Sequence, residues 1–301
     1  MSTILDGRLV RAELKKALIT KIHNLISPDG VPFQPTLAIV QVGDRPDSAA
    51  FIAAKKKFAA EIGVKEIHVK LKATTTQADI IRAVAALDAD PSVQGIIVQL
   101  PLPLTIDKDA VFAAISPRKD VDGLTAANVQ RWLEGRENES RGSEIHPSSQ
   151  SVIWPATARG IRELLDFYHI PLAGKHVVVV GRSSLVGKPV AAMCLAENAT
   201  VTVCHSQTTN LALHTRRADI LIVAIGKPRF IGASYVREGQ VVIDVGISKV
   251  DQPEQGKSVM AGDVDFEVVK DIVAAITPVP GGVGQMTVLA LFENLVDTNS
   301  F

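Results

Sequence analysis

The chain reads His-Val-Val-Val-Val-Gly-Arg-Ser-Ser-Leu-Val-Gly-Lys from His176 to Lys188, and this stretch carries the strongest evidence for its fold. The valines at 177–180 do not alternate with polar residues, so we expect a strand that is buried on both faces, as in a parallel sheet. Gly181 then turns the chain into a helix. A buried strand, a glycine turn and a helix form the unit on which α/β proteins seat the pyrophosphate of a dinucleotide. The stretch therefore predicts a Rossmann-like, doubly wound parallel sheet.

The glycine pattern of this turn departs from the dinucleotide fingerprint G-x-G-x-x-G. Gly181 is the first glycine, Ser183 stands in the second position, and Gly187 comes one residue late. The context nevertheless supports a dinucleotide site. Ala199–Cys204 reads as a second strand about 20 residues further on, where the residue that contacts the adenosine ribose is expected.

The end of that second strand favours NADP over NAD. No acidic residue follows Cys204, so the carboxylate that accepts from a free ribose hydroxyl pair is missing. Arg182 in the first turn and Ser206 after the second strand are both able to donate to a 2′-phosphate. The alternative is that Arg182 covers a helix N-terminus and Ser206 caps the next segment.

The composition excludes some function classes. The 301 residues are enough for two ordinary domains or one large domain. Lys and Arg together number 32, as do Asp and Glu, so no net charge attracts nucleic acid or an anionic membrane surface. Small-molecule chemistry is the favoured class.

The cysteine and hydropathy patterns predict a cytoplasmic protein. Cys194 and Cys204 are the two cysteines, and both lie in apolar segments, where cysteine behaves as a small buried hydrophobe. No apolar stretch has the length of a membrane span, and residues 1–11 lack the apolar core of a signal peptide.

The two halves of the chain share an alternating α/β plan. In the first half we expect helices at 9–26, 48–62 and 77–87 and strands at 36–42, 67–71 and 95–100. In the second half we expect helices at 156–168 and 286–296, strands at 176–180, 199–204, 219–225 and 240–245, and a fifth strand that ends at Ile276.

These elements predict two α/β domains with a cleft between them. Residues 1–150 form a catalytic domain, on which a C-terminal helix at 286–301 packs back, and residues 151–285 form the Rossmann-like domain. The polar, glycine-containing segment 134–150 is the best candidate for a linker or surface loop.

Lys55 is the first candidate for chemistry. It is one of three consecutive lysines, but helix geometry separates neighbours by about 100°, so the three cannot share one environment. Lys55 lies on the apolar stripe with Phe51, Ile52, Phe58 and Ile62. A lysine there must snorkel, pair, or have its pKa lowered by desolvation, and the last outcome suits proton transfer. The alternative is a snorkelling lysine at the helix edge with no chemical role.

Gln99 is the one polar side chain in the apolar run 95–101. It sits at the carboxyl end of a parallel strand, where ligands collect in open α/β sheets. Its amide donates and accepts at once, so it is able to orient a lysine and a substrate together. The alternative is a structural glutamine that bonds a neighbouring loop.

Asp122 lies in the segment Lys119-Asp120-Val121-Asp122-Gly123. Its carboxylate suits the amino and ring N–H groups of a heterocycle. The alternative is that the acidic pair only shapes a turn, since Asp-Gly favours one. A metal site is disfavoured, because no histidine or third carboxylate lies nearby at a ligand spacing.

The segment 277–284, Thr-Pro-Val-Pro-Gly-Gly-Val-Gly, has too much proline and glycine for regular structure. Such a loop brings backbone close to a ligand, and its prolines allow a cis X-Pro bond. The alternative is an interdomain hinge.

Taken together, these segments resemble the bifunctional methylenetetrahydrofolate dehydrogenase/cyclohydrolase family from Ile4 to near Thr287. The motifs that carry the resemblance are Val98-Gln99-Leu100-Pro101, Lys119 to Gly123, Val180-Gly181-Arg182-Ser183, Val186-Gly187-Lys188-Pro189, Cys204-His205-Ser206 and Thr277 to Gly284. Because the resemblance begins at Ile4, we expect no mitochondrial presequence.

The resemblance implies an NADP-dependent oxidation of 5,10-methylenetetrahydrofolate to the methenyl form and its hydrolysis to 10-formyltetrahydrofolate. It also implies a homodimer. By analogy, Lys55 is the central catalytic group for hydrolysis, Gln99 holds it, and Asp122 binds the pterin. The implied folate-binding set is Phe51, Lys55, Val98, Gln99, Leu100, Asp122, Pro280, Gly281, Gly282, Val283 and Gly284. The implied NADP-binding set is Thr157, Gly181, Arg182, Ser183, Ser206, Ile247, Gly284 and Thr287.

Three features depart from the family pattern. Phe51 replaces the usual tyrosine four residues before the lysine, Gln285 replaces a proline, and the polar segment 134–150 is longer than usual. Loss of the tyrosine hydroxyl leaves a monofunctional dehydrogenase, NADP- or NAD-linked, as the nearest alternative. A regulatory folate- or dinucleotide-binding protein without turnover is the alternative from another class, and the fold alone also fits malate-like or amino-acid dehydrogenases.

Overall fold

The computed structural model describes residues 2–27, 30–134, 152–252 and 257–299. The strands are β1 (Thr3–Ile4), β2 (Thr36–Val42), β3 (Lys65–Leu71), β4 (Gly95–Val98), β5 (His176–Val180), β6 (Thr200–Cys204), β7 (Ile220–Val223), β8 (Val241–Asp244), β9 (Ser248–Gln252), β10 (Lys257–Ala261) and β11 (Ala275–Ile276). The α-helices are α1 (Gly7–His23), α2 (Pro46–Ile62), α3 (Gln77–Ala89), α4 (Lys108–Phe112), α5 (Ala126–Glu134), α6 (Ala156–Phe167), α7 (Gly187–Ala196), α8 (Leu211–Thr215), α9 (Phe266–Val269) and α10 (Val283–Asp297).

The chain divides into two compact units. The six-stranded unit comprises Met1–Ala12 and Thr157–Thr287, and the three-stranded unit comprises Glu13–Ala156 and Val288–Phe301. The chain therefore passes from one unit to the other within α1 and again within α10.

The three-stranded unit is built on a parallel sheet in the order β3-β2-β4. The central strand β2 is buried along its whole length, which explains the unbroken apolar run from Leu37 to Val40. Helix α10 packs closely on this unit, since a Cβ added at Gly95 would lie 2.6 Å from the Leu295 side chain. The ring of Phe292 lies 5.4 Å from that of Phe58 in α2.

The six-stranded unit is a parallel sheet in the order β1-β11-β8-β7-β5-β6. From β5 the chain proceeds to β6 on one side and then to β7 on the other. The strand order therefore reverses between β5 and β7, and in doubly wound sheets the crevice at such a reversal is where ligands bind.

The α/β class and the parallel sheets are as the sequence predicts. Strands 36–42 and 176–180 begin and end at the predicted residues, and the other predicted strands differ by at most two residues at either end. Flanking polar residues and glycines make long buried strands easy to delimit from sequence.

The division of the chain at its first residues differs from the expected domain of residues 1–150. Residues 1–12 belong to the six-stranded unit, because β1 pairs in parallel with β11 and the Gly7 amide donates to Gly281 O at 2.9 Å. A two-residue strand is too short to leave a periodic pattern in sequence.

Several short elements were not predicted. They are the antiparallel hairpin β9–β10 and the helices α4, α5, α8 and α9. Of the polar segment 134–150, residues 135–150 lie outside the described residues. Within the part of the chain that the structure describes, no helix is both long and apolar enough to cross a membrane.

Candidate active site

Lys55 projects from the face of α2 that packs on the three-stranded sheet. Ile52, Phe58 and Ile62 on that face are at most 3% exposed, whereas Lys55 itself is half-buried. Its Nζ donates to Oε1 of Gln99 at 3.0 Å. Lys55, which the helical spacing indicated, and Gln99, at the end of its strand, are therefore joined by one hydrogen bond.

Two further hydrogen bonds, one from the backbone and one from the side chain, hold Gln99 in position. It directly follows β4, and its backbone amide donates to Val40 O at 2.8 Å, which extends the pairing with β2 by one residue. Its Nε2 donates to Leu100 O at 2.9 Å. The side-chain amide is thereby oriented with Oε1 toward Lys55, and a second N–H on Nε2 is left for another acceptor.

The two carboxylates of the Lys119–Gly123 segment, Asp120 and Asp122, lie in different surroundings. Asp120 is 2% exposed, and its Oδ2 accepts from the Thr125 amide and from Asn128 Nδ2, each at 2.8 Å. Asp120 therefore shapes the loop, as in the alternative given above for the acidic pair. Asp122 is half-buried and interacts electrostatically with Lys55.

The path of this loop depends on a glycine and a helix. Gly123 has a φ of +66°, and an added Cβ would lie 2.5 Å from Ile153 O, so no other residue fits there without a shift. From α10, Asn294 Nδ2 donates to Val121 O at 2.8 Å and to Trp154 O at 2.9 Å. The backbone on both sides of Asp122 is therefore fixed.

Burial moves the pKa values of both charged groups at this site. Desolvation lowers the pKa of Lys55 from its usual 10.5, and the nearby Asp122 opposes this. Desolvation raises the pKa of Asp122 from 3.8; Lys55 opposes this and Asp120 adds to it. Such a pair holds an amine that gives up its proton more readily than a surface lysine does.

The remaining folate candidates of this unit differ in exposure. The Phe51 side chain is 51% exposed and lies four residues before Lys55, hence on the same side of α2. Leu100 is half-buried. Val98 is 3% exposed and belongs to the apolar core, so its side chain is not available to a ligand in this conformation.

The glycine turn after β5 fits a dinucleotide. Gly181 has a φ of +129°, and an added Cβ would lie 2.2 Å from Ala224 O. A Cβ at Gly187 would lie 2.3 Å from Gly181 O, so the late glycine still permits close packing of helix and strand. Ser183 Oγ accepts from the Val186 and Gly187 amides at 3.2 and 3.3 Å, and so covers the start of α7.

The polar candidates for the 2′-phosphate are accessible. Arg182 and Ser206 are exposed, at the carboxyl ends of β5 and β6 respectively. Ile247, which follows β8, is 47% exposed, and Thr157 at the start of α6 is half-buried. A guanidinium and a hydroxyl just beyond the ends of two adjacent parallel strands suit a phosphate.

The proline- and glycine-rich loop is tightly bound to the first residues of the chain. The Val279–Pro280 bond is cis, and Gly281 has a φ of +121°. A Cβ added at Gly7 would lie 2.2 Å from Gly282 O. The loop is therefore held firmly by the backbone of α1.

The end of that loop enters α10. Gly284 is exposed, Val283 is buried, and Thr287 Oγ1 donates to Gly284 O at 3.2 Å. Gln285, where relatives were expected to have proline, accepts from Arg11 Nη1 at 3.0 Å through Oε1. The substitution thus gains a polar partner from α1.

Three buried polar residues were missed in the sequence. Asn294 holds the loop of Asp122, and the carboxylates of Asp244 and Asp263 bind backbone amides after β7, β8 and β10. A signal was present, since each aspartate stands next to or near a glycine, in Asp244-Val-Gly246 and Gly262-Asp263, and Asn294 interrupts an apolar helix stripe. Among the described residues, no three His, Cys, Asp or Glu side chains are grouped so as to hold a metal ion.

Comparisons with known proteins agree with this geometry. The family model for the tetrahydrofolate dehydrogenase/cyclohydrolase catalytic domain matches residues 5–122, and the model for the NAD(P)-binding domain of the same family matches residues 155–300. The bifunctional protein FolD 2 of Lactobacillus johnsonii is 42% identical over 296 residues, which is 98% of this chain and 97% of that protein.

Solved structures match over nearly the full length. The bifunctional FolD methylenetetrahydrofolate dehydrogenase/cyclohydrolase of Campylobacter jejuni is 40% identical with a TM-score of 0.89, covering 99% of both chains. The Trypanosoma brucei FolD enzyme, solved with NADP cofactor and an inhibitor, is 35% identical with a TM-score of 0.88, covering 99% of this chain and 97% of that one.

Proposed function

Because this chain belongs to the tetrahydrofolate dehydrogenase/cyclohydrolase family, we propose that Lys55, Gln99 and Asp122 carry its folate chemistry. The protein oxidises 5,10-methylenetetrahydrofolate to the methenyl form with NADP, and it hydrolyses that product to 10-formyltetrahydrofolate. The 3.0 Å hydrogen bond from Lys55 to Gln99, beside Asp122, is the observation on which the assignment of residues rests.

Lys55 acts in the hydrolytic step. The methenyl carbon is cationic, so a protonated lysine would be repelled, whereas an amine with a lowered pKa accepts a proton from water as the oxygen bonds that carbon. The new ammonium then returns this proton to the ring nitrogen as its bond to the carbon breaks. The hydroxyl proton leaves to solvent as the formyl carbonyl forms, so the net yield is one proton.

Gln99 and Asp122 orient the reactants. The oxygen of Gln99 fixes the direction of the Lys55 amine, and its second N–H is available to the folate. Asp122 accepts from the N–H groups of the pterin and interacts electrostatically with Lys55. The exposed Phe51 ring offers a stacking surface four residues from the lysine.

The turn after β5 holds NADP. Gly181 and Gly187 keep the turn between β5 and α7 tightly packed. The pyrophosphate lies at this turn, and Arg182 with Ser206 binds the 2′-phosphate. When bound, NADP supplies the hydride acceptor for the oxidation, and the protein contributes mainly alignment. The other members of this proposed set are the exposed Ile247 and the half-buried Thr157, together with Gly284 and Thr287.

The proline- and glycine-rich loop completes the proposed folate set with the backbone of Pro280, Gly281, Gly282, Val283 and Gly284. Its support is the fixed backbone described above, which suits close approach by a ligand.

Adjacent lysines provide the test of the catalytic assignment. We expect Lys55→Met to lower the rate of methenyltetrahydrofolate hydrolysis by at least about a hundredfold, as loss of a general base does. Lys57→Met, an exposed lysine on the same helix, is the matched control and should leave the rate unchanged. Equal rates for the two variants would refute the assignment, while absence of NADP-dependent oxidation in the unaltered protein would refute the function itself.

We also propose that the protein works as a homodimer in the cytoplasm. The family resemblance supports the dimer, and the two free, buried cysteines are compatible with a reducing compartment. Light scattering on the purified protein tests the dimer, and a monomer at micromolar concentration would contradict it.

A further inference from the structure

Asp263 is a fully buried carboxylate that the function described above does not use. Its Oδ2 accepts from the backbone amides of Ile225 at 2.6 Å and Gly226 at 3.0 Å, and its Oδ1 accepts from Lys227 at 2.7 Å. Consecutive backbone amides that converge on one anion form a nest. The turn that follows β7 is therefore wrapped around this side chain.

A second buried carboxylate holds Asp263 in place. Asp244, at the end of β8, accepts through Oδ1 from the amides of Asp263 at 2.9 Å and Gly246 at 3.1 Å, and through Oδ2 from Val264 at 2.9 Å. Glycines make room for both groups. A Cβ added at Gly246 would lie 2.1 Å from the Asp263 carboxyl carbon, and one at Gly262 would lie 1.9 Å from Asp244 Oδ2.

The turn held by Asp263 borders the reversal of strand order between β5 and β7. Ala224, the residue before the turn, has the carbonyl against which Gly181 packs. Gly246, which packs against the Asp263 carboxylate, is followed directly by the exposed Ile247. One carboxylate thus connects the segments that end β7 and β8, both at the edge of the sheet where dinucleotides bind in this fold.

We propose that Asp263 is a positioning residue for the dinucleotide, which holds the 225–227 turn and the 245–247 segment in the arrangement that binds NADP. This inference rests on the proposed NADP site at the carboxyl ends of β5 and β7. The carboxylate has acceptors on both oxygens, whereas an asparagine has one acceptor oxygen and an NH₂ donor. Asp263→Asn therefore turns a donor toward at least one of the three amides, in a place without access to bulk water.

The test compares Asp263→Asn with Asp265→Asn. Asp265 lies two residues further on, is half-buried, and caps no amide of α9 with its side chain, so it loses the same charge without loss of the nest. We expect the Kd for NADPH, measured by fluorescence titration, to rise at least about tenfold in Asp263→Asn. We expect no rise in Asp265→Asn, and no change in methenyltetrahydrofolate hydrolysis, which needs no dinucleotide, in either variant.

An unchanged Kd for NADPH in folded Asp263→Asn would overturn the proposal. An equal loss of NADPH binding and of hydrolysis would mean that the variant has unfolded, and the decision then rests on the unaltered protein. Hydrogen exchange on the unaltered protein gives a second test if the variant does not fold. The amides of residues 225–227 should be protected before NADPH is added, and exchange at the rate of an open loop would contradict the nest. If the unaltered protein binds no NADPH, the proposed function has failed rather than this inference.

Discussion

We expect the replacement of a tyrosine by Phe51 to affect hydrolysis more than oxidation. The ring is exposed on the side of α2 that carries Lys55, so stacking is retained while a hydroxyl is lost. Hydrolysis needs protons to be moved at the site, whereas hydride transfer depends mainly on alignment. The missing hydroxyl should therefore limit the cyclohydrolase more than the dehydrogenase.

Phe51→Tyr should raise methenyltetrahydrofolate hydrolysis more than it raises oxidation. A hydrogen bond made in the transition state contributes about 1–3 kcal/mol, so we expect an increase of roughly fivefold or more. The two half-reactions are to be measured separately by absorbance of the methenyl form. No change in either rate, or the same change in both, would contradict the role given to this position.

At the residue scale, we propose that Arg182 determines the choice of coenzyme. Its exposed guanidinium follows Gly181 directly at the carboxyl end of β5, and a guanidinium suits a phosphate group. Arg182→Ala should weaken the binding of NADP by about tenfold or more, since a charge-assisted hydrogen bond contributes about 1.5–3 kcal/mol. The binding of NAD should be nearly unaffected. Titration of the protein with each dinucleotide checks this prediction. An equal loss of affinity for NADP and NAD would contradict the assignment of Arg182 to the 2′-phosphate.

Element geometry explains which parts of the site were predictable. The helical spacing of Lys55 and the strand end at Gln99 are local patterns, and both side chains meet as expected. By contrast, Asn294 reaches Val121 O from a helix more than 170 positions away, and the partners of Asp244 are set by tertiary packing. Long-range hydrogen bonds leave no periodic trace in a single sequence.

The carboxyl of Asp244 should make stability depend on pH. Burial raises its pKa to about 7 from 3.8, against the amides of Val264, Asp263 and Gly246, which stabilise the charged form. Between pH 3.8 and about 7, the Asp244 carboxyl holds a proton in the folded protein, whereas it has released this proton in the unfolded chain. The free energy of unfolding therefore falls as the pH rises from about 4 through 7, by at most about 1.4 kcal/mol per unit from this group.

Urea unfolding at pH 5, 6, 7 and 8 measures that dependence. The free energy of unfolding of the unaltered protein should fall relative to that of Asp244→Asn across this range, because the variant lacks the titrating group. Comparison with the variant removes the contributions of other groups, Asp122 included. A difference that stays constant with pH would contradict the raised pKa of Asp244.

At the scale of the whole molecule, each compact unit holds one part of the proposed site. The three-stranded unit holds Lys55, Gln99 and Asp122, and the six-stranded unit holds the glycine turn with Arg182. The α/β plan of both was readable from the spacing of buried strands. The assignment of residues 1–12 to the six-stranded unit was not, because it depends on a two-residue strand and on backbone contacts to the 277–284 loop.

Burial should make the Lys55 amine give up its proton more readily than a surface lysine does. A ¹³C NMR titration of the lysine ε-carbons, with the Lys55 signal assigned from Lys55→Arg, measures this directly. We predict a pKa for Lys55 below 10.5, and a still lower value in Asp122→Asn, which removes the charge that opposes the shift. A pKa at or above 10.5 in the unaltered protein would contradict the account.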